Sequence, residues 1–297
     1  MLLSYLAIAT TVVLVLTGSA GGTRGSVPAT DMHAASAFLP LPGLGITFAA
    51  NSTAEVNSLI ATDRPYIQPG DSFDLASGNP ENTTLNTGEI NHWASLLREA
   101  FPSATIFAHT AGVSHLSTLV TKASANIAGV FYDYEPHYEP EFSANFSQTV
   151  GEFENATNIA HSQGLLSIGY PTGQPIASAQ YRIDDWNYGV LAEKVDQLVV
   201  QSQTYCHKGI TSYRNAVSDV LGQYAQESAP GVPTFQITLG VNASLTPNQV
   251  TPSQAYNCAR VLTDFGLSTL YLWWGPNSNP EVQRFLEDIG RTPTSGN

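Results

Sequence analysis

From Gly43 onward the chain repeats one alternation: a short apolar, β-branched or aromatic run, then a stretch of helical periodicity. This restricts the fold more than any other feature. Short buried strands alternating with helices specify parallel β/α units. The strand readings are Gly43–Ala49, Arg64–Gln68, Ala104–His109, Ile127–Asp133, Gly164–Tyr170, Val195–Gln201, Thr234–Gly240 and Ser268–Trp273. Helices are expected from Asn51–Thr53 onward, over Thr87–Ala100, Val113–Ala125 and Pro140–Gln163, and near Tyr188–Lys194. Others are expected over Ser212–Gln226, Ser253–Phe265 with Thr251 or Ser253 as cap, and Pro280–Ile289. Residues 71–86 read as a polar loop. In Thr87–Ala100, Ile90, Trp93, Leu96 and Leu97 fall on one face.

Eight such units in roughly 250 residues match a closed (β/α)8 TIM barrel of the α/β class. An open doubly wound sheet uses the same alternation. The count of eight, and the lack of a Gly-x-Gly-x-x-Gly or phosphate loop, favour the barrel. The expected organisation is a leader or anchor over 1–20, a linker over 21–39, one barrel domain over 40–292 and a tail over 293–297.

In a barrel, active sites sit where the strands end. The fourth apolar run ends in Asp133-Tyr134-Glu135. Side chains alternate along a strand, so Asp133 and Glu135 project from the same face. Acidic residues also cap strand ends without chemical purpose, and Asp-x-Glu alone is a weak motif. The other strand ends supply Asn51, Gln68, His109, Tyr170, Gln201, Gln203, Tyr205, Asn242, Trp273 and Trp274. That set is polar and aromatic with no Lys or Arg. A carboxyl enclosed by aromatic rings and crowded by a second carboxylate is expected to have a raised pKa, the condition for a general acid. Aromatic faces stack on sugars. Trp273 and Trp274 point to opposite faces, so at most one lines the pocket.

Composition excludes several functions. The net charge is −13 with 11 basic residues and no basic cluster, against a nucleic-acid or anionic-membrane partner. No His-x-His, His-Glu-x-x-His, Cys-x-x-Cys or Gly-x-Ser-x-Gly occurs, so no metal site, cofactor or serine-hydrolase elbow is expected. Met1–Leu16 is almost wholly apolar and Gly18-Ser19-Ala20 follows, as in a secretory leader. No basic residue precedes the run, and an uncleaved anchor is the alternative. Only in that case would the membrane be a partner. Asn-x-Ser/Thr sequons at Asn51, Asn82, Asn145, Asn155 and Asn242 fit a secreted or cell-surface glycoprotein. In an oxidising compartment Cys206 and Cys258 would form one disulfide; two unpaired buried thiols are the other reading. A monomer is expected.

Four segments resemble those of family 18 glycoside hydrolases, especially plant class III chitinases. The family's fourth strand reads Asp-Gly-x-Asp-x-Asp-x-Glu. Here Ala128-Gly129-Val130-Phe131-Tyr132-Asp133-Tyr134-Glu135 keeps the Gly and the final Asp-x-Glu. Val199-Val200-Gln201-Ser202-Gln203 is similar to its Val-Gln-Phe-Tyr segment, Ile237–Val241 to its Leu-Gly strand, and Tyr271-Leu272-Trp273 to its Met-x-Trp ending. Their order and spacing cover Gly43 to Trp274.

The resemblance implies an oligo- or polysaccharide partner and substrate-assisted retaining hydrolysis. Glu135 would protonate the glycosidic oxygen, the substrate's acetamido carbonyl would attack, and Asp133 would orient the acetamido group. Gln201, Gln203, Tyr205, Tyr170, His109 and Trp273 would bind the sugar, with Trp273 as its floor. Phe131 stands where the family has an Asp beside Asp133, which should leave Asp133 differently tuned. Gln203 stands in place of a Tyr. Two alternatives remain: a catalytically silent carbohydrate-binding or inhibitor-like barrel, and a glycosidase of another barrel family. The latter would pair Glu135 with a different carboxylate, Glu139 and Glu141 being near in sequence.

Overall fold

Parallel strands rich in Val, Ile, Leu and Phe bury both faces, and a ring of them needs helices outside and side chains inside. The computed structural model describes residues 43–50, 52–77, 87–134, 145–172, 183–239, 249–274 and 280–291, and has this form. The element order is β1 (Gly43–Ala50), α1 (Thr53–Asp63), β2 (Ser72–Ser77), α2 (Thr87–Ala100), β3 (Thr105–Ala111), α3 (Val113–Lys122) and β4 (Gly129–Tyr134). There follow α4 (Phe146–His161), β5 (Leu166–Pro171), α5 (Tyr188–Ala192), β6 (Gln197–Gln201), α6 (Gln203–His207) and α7 (Ile210–Glu227). The chain continues with β7 (Thr234–Leu239), β8 (Gln249–Val250), α8 (Pro252–Asp264), β9 (Thr269–Trp274) and α9 (Pro280–Asp288).

Every strand pairing is parallel. β1 pairs with both β2 and β9, β9 with β7, and β7 with β6, so β1–β7 and β9 close a single (β/α)8 TIM barrel. The short β8 adds on to β7 alone. Ala37–Asn297 form one compact unit.

Strand alternation sorts the core into two. Outward residues such as Ile46, Phe73, Leu75, Ile106, Val130, Leu198, Phe235 and Leu272 pack against the helices. Inside the barrel, Phe107, Phe131, Ile168, Tyr170, Val199 and Tyr271 form a separate apolar plug. Its fit depends on Gly45: a Cβ there would lie 2.3 Å from the Tyr271 ring.

Local signals set the helix starts. Ser52 caps α1 by accepting from the Glu55 N–H. Asn145 caps α4 through the Gln148 N–H. Thr251 and Gln254 form a reciprocal capping box at α8, with Pro252 in its first turn.

One strand differs from the sequence reading. Arg64–Gln68 is not a strand: Arg64–Tyr66 is a 3-10 turn that closes α1, with Pro65 in its first turn. The second strand is Ser72–Ser77, inside the segment read as a loop. The anchor that decides this is Asp71. Its Oδ1 accepts from the Leu44 N–H at 3.1 Å and its Oδ2 from the Gln68 N–H at 2.8 Å. Asp71 also takes the buried Arg291 guanidinium, donated to Oδ1 by Nη2 at 2.8 Å and to Oδ2 by Nη1. Gln68 therefore lies before β2, at the opposite end from the site it was expected to face. The sequence reading also omitted α6 and β8.

Candidate active site at the C-terminal end of the barrel

Above the apolar plug the interior turns polar. The inward positions of β2, β3, β4 and β6 there are Asp74, His109, Asp133 and Gln201, all buried. Parallel register brings them together: His109 sits beside Phe131, Ala111 beside Asp133, and Asp133 beside Tyr170.

The four form a chain of contacts. His109 Nδ1 lies 2.7 Å from Asp74 Oδ2, and its Nε2 lies 3.2 Å from Asp133 Oδ2. The other oxygen of Asp133 accepts from Gln201 Nε2 at 2.8 Å. The same amide nitrogen donates to the Tyr170 carbonyl at 3.4 Å. Gln203, first residue of α6, donates from Nε2 to Gln201 Oε1 at 3.3 Å. Its own Oε1 is buried with no partner among the described residues.

Aromatic rings enclose the imidazole. Phe131 is stacked on it, with ring centroids 5.9 Å apart and planes 17° from parallel. Tyr170 and Trp273 meet it edge-on at 5.8 and 5.9 Å. Trp273 is half-buried, and it is the member of the Trp pair on the interior face; the Trp274 side chain lies outside the described residues. His109 and Asp74 side chains have 0 % exposure, whereas Asp133 retains 7 %. Asp133 is thus the most exposed of Asp74, His109 and Asp133.

The imidazole pKa follows from this enclosure. Burial, the largest single influence, pushes it down. The charge of Asp74, the hydrogen bonds to Asp133 and Asp74, and the charge of Asp133 together outweigh that and raise it to about 10. The two carboxylates sit on opposite ring nitrogens, so the trio cannot close around one ion. Among the described residues no group of three or more His, Cys, Asp or Glu is placed to hold a metal.

The structure gathers most of the expected residues: Asp133, His109, Tyr170, Gln201, Gln203 and Trp273. His109 and Tyr170 are buried rather than lining the mouth, His109 contacting Asp133 and the Tyr170 carbonyl accepting from Gln201. Tyr205 lies apart. It borders a cavity of about 380 Å³ with Tyr188, Asp219 and Phe235, between α7 and the outward side of β6 and β7. Burial and the charge of Asp219 raise its hydroxyl pKa. Glu135, Asn51, Asn82 and Asn242 lie outside the described residues, as do residues 1–42, 78–86, 135–144, 173–182, 240–248, 275–279 and 292–297. Asn145, the cap of α4, and Asn155, on α4, are exposed. Cys206 on α6 and Cys258 on α8 form a disulfide with Cα atoms 6.0 Å apart.

Sequence reading missed Asp74. Its signal was present: Ser72-Phe73-Asp74-Leu75 alternates with period two, and an acid on the inner face of a buried strand needs a partner.

No protein-family profile matches the sequence, and no curated protein matches it. Solved structures do match in fold. A class V chitinase from Pseudomonas fluorescens aligns with TM-score 0.55 at 12 % identity, covering 83 % of this chain and 99 % of that one. A family 18 chitinase from Cycas revoluta in complex with (GlcNAc)3 aligns with TM-score 0.53 at 11 % identity, covering 83 % and 98 %. The spore cortex-lytic enzyme SleL of Bacillus cereus aligns with TM-score 0.53 at 10 % identity, covering 85 % and 75 %. The chain therefore shares the (β/α)8 barrel of these proteins; identities this low are a likeness of fold alone.

Proposed function

We propose that this protein is a glycoside hydrolase acting on N-acetylhexosamine-containing glycans. The observation that carries this reading is Asp133. It is an almost wholly buried carboxylate at the C-terminal end of β4, with both oxygens hydrogen-bonded, and Glu135 follows two residues later in sequence. A carboxylate fixed in that way can orient and stabilise a neighbouring group that becomes positive, such as the acetamido group of a sugar during substrate-assisted attack. Gln201 and Gln203 supply amide groups beside it, and Trp273 supplies an aromatic edge with partial exposure. Glu135 is assigned as the acid that protonates the leaving oxygen. The chitinases among its fold neighbours, one bound to (GlcNAc)3, support the choice of substrate class.

A second reading has its own observation. Phe131 and Ala128 stand where the resemblance would place two further carboxylates, which suits a barrel that binds glycans without cleaving them. Purified protein and Glu135→Gln should be incubated with chitooligosaccharides and with glycans lacking the acetamido group. Turnover of the former, lost in the variant, is expected. Tight binding without turnover by either protein would replace this reading with the second. Turnover confined to glycans without acetamido groups would exclude substrate assistance and point to a carboxylate partner for Glu135.

Export to the cell exterior is part of the proposal. It is supported by the apolar Met1–Leu16 run, the Cys206–Cys258 disulfide and the exposed sequons at Asn145 and Asn155. Protein from a eukaryotic secretory host should lose mass on treatment with peptide N-glycosidase; unchanged mass would remove the glycoprotein claim.

A further inference from the structure

We infer that His109, held as an imidazolium between Asp74 and Asp133, is a positioning residue that keeps the Asp133 carboxylate in one orientation at the C-terminal end of the barrel. The inference rests on the reading of Asp133 as part of a glycan-cleaving site.

The argument starts from donor counting. A neutral imidazole has one N–H and one lone pair, so it can donate to only one of two carboxylates. His109 has a carboxylate oxygen at each ring nitrogen, 2.7 Å on one side and 3.2 Å on the other. Only the imidazolium donates to both.

Orientation follows from the same contacts. His109 Nε2 holds one oxygen of Asp133 and Gln201 Nε2 the other, so rotation of the carboxylate breaks a hydrogen bond. The imidazole is itself locked by Asp74, by the Phe131 face and by the edges of Tyr170 and Trp273. The phenyl face beneath adds a favourable cation–π contact for the charged ring. Among the described residues His109 is the one cationic side chain in contact with Asp133. Among the described residues, the ionisable groups around the imidazole are Asp74 from β2, Asp133 from β4 and Tyr170 from β5. Tyr271 from β9 touches Phe131, and burial raises its hydroxyl so that it stays neutral. Phe131, which removes the carboxylate that the family resemblance would place on β4, thus provides the surface on which a cation from β3 rests.

Two measurements test this, one independent of turnover. Nitrogen-15 NMR of ring-labelled protein should show both nitrogens of His109 protonated at neutral pH. Asp74→Asn, which leaves Asp133 untouched, should lower the His109 titration midpoint by at least about one pH unit. A single protonated nitrogen in the wild-type protein at neutral pH would overturn the inference. In the second measurement, His109→Gln should lower kcat roughly 10- to 100-fold, the usual cost of an orienting partner, with KM changed far less. Unchanged kcat in both variants would also overturn it. Should no glycan be turned over, the functional reading fails, while the NMR result still decides the state of His109. Should His109→Gln not fold, Asp74→Asn carries both readouts.

Discussion

Phe131 lies flat against His109, its ring centroid 5.9 Å away and its plane 17° from parallel. The apolar plug of the barrel and its polar upper ring meet at this contact. Phe131 also touches Phe107, Tyr170 and Tyr271, at centroid distances of 6.2, 5.0 and 5.2 Å. Removing the ring leaves a cavity walled by rigid strands. Phe131→Ala is expected to cost about 3–5 kcal/mol, and Phe131→Leu markedly less. Urea denaturation of the two variants measures this; equal costs would show that the barrel interior collapses around the gap.

The charge on His109 gives stability a pH dependence of known sign. Its value rises on folding from 6.5 to about 10. The contribution is therefore complete below about pH 6.5, declines as pH rises toward 10, and is gone above it. Denaturant midpoints taken across that window should fall with pH in the wild-type protein and fall less in His109→Gln. Parallel curves would mean that His109 does not gain a proton on folding.

At the opposite end of the barrel, Asp71 and Arg291 tie the chain after α9 to the starts of β1 and β2. Asp71 has 0 % side-chain exposure and Arg291 has 2 %. Arg291 Nη1 also donates to the Tyr66 carbonyl at 3.2 Å. Arg291→Met leaves Asp71 charged and buried without its cation, so a loss of about 3–5 kcal/mol is expected. Adding Asp71→Asn should recover part of that loss. A double-mutant cycle in urea checks it, and additive losses would count against direct coupling.

Gly45 is expected to tolerate no side chain. A Cβ there would stand 2.3 Å from the Tyr271 ring, whose hydroxyl lies 3.1 Å from Ser72 Oγ. Overpacking of this kind costs about 1–3 kcal/mol. Thermal unfolding of Gly45→Ala should show the loss, and Tyr271→Leu in the same chain should relieve part of it.

The disulfide joins α6 to α8 across 52 residues. Cys206→Ser with Cys258→Ser is expected to cost about 2–4 kcal/mol, since the unfolded chain regains the freedom of that loop. Reduction of the wild-type protein should produce a similar shift in its unfolding midpoint.

Much of the fold was legible because periodicity is local. Thr87–Ala100 is a helix with the expected bounds, and Thr251, one of the two expected caps, caps α8. The second strand was not legible. Arg64–Gln68 holds Pro, Tyr and Ile and imitates a strand, whereas Ser72–Ser77 has two Ser and an Asp among six residues. Propensity counts side chains, but β2 is placed by Asp71, whose guanidinium partner comes from 220 residues further along. Losing that strand also lost Asp74.

Alternation of apolar runs and amphipathic helices determined parallel β/α units, their count of eight favoured a closed barrel, and the strand period set the face on which Asp133 points, because strand and helix periods act over a few residues. The sequence alone also marked out Gln201, Gln203 and Trp273 at strand ends. Only the tertiary structure decided that Asp74 and His109 stand behind Asp133, and that Tyr205 turns away to the outer cavity. Those relations join β2, β3 and β4 through the register of the closed sheet, and register is a property of paired strands rather than of any one segment.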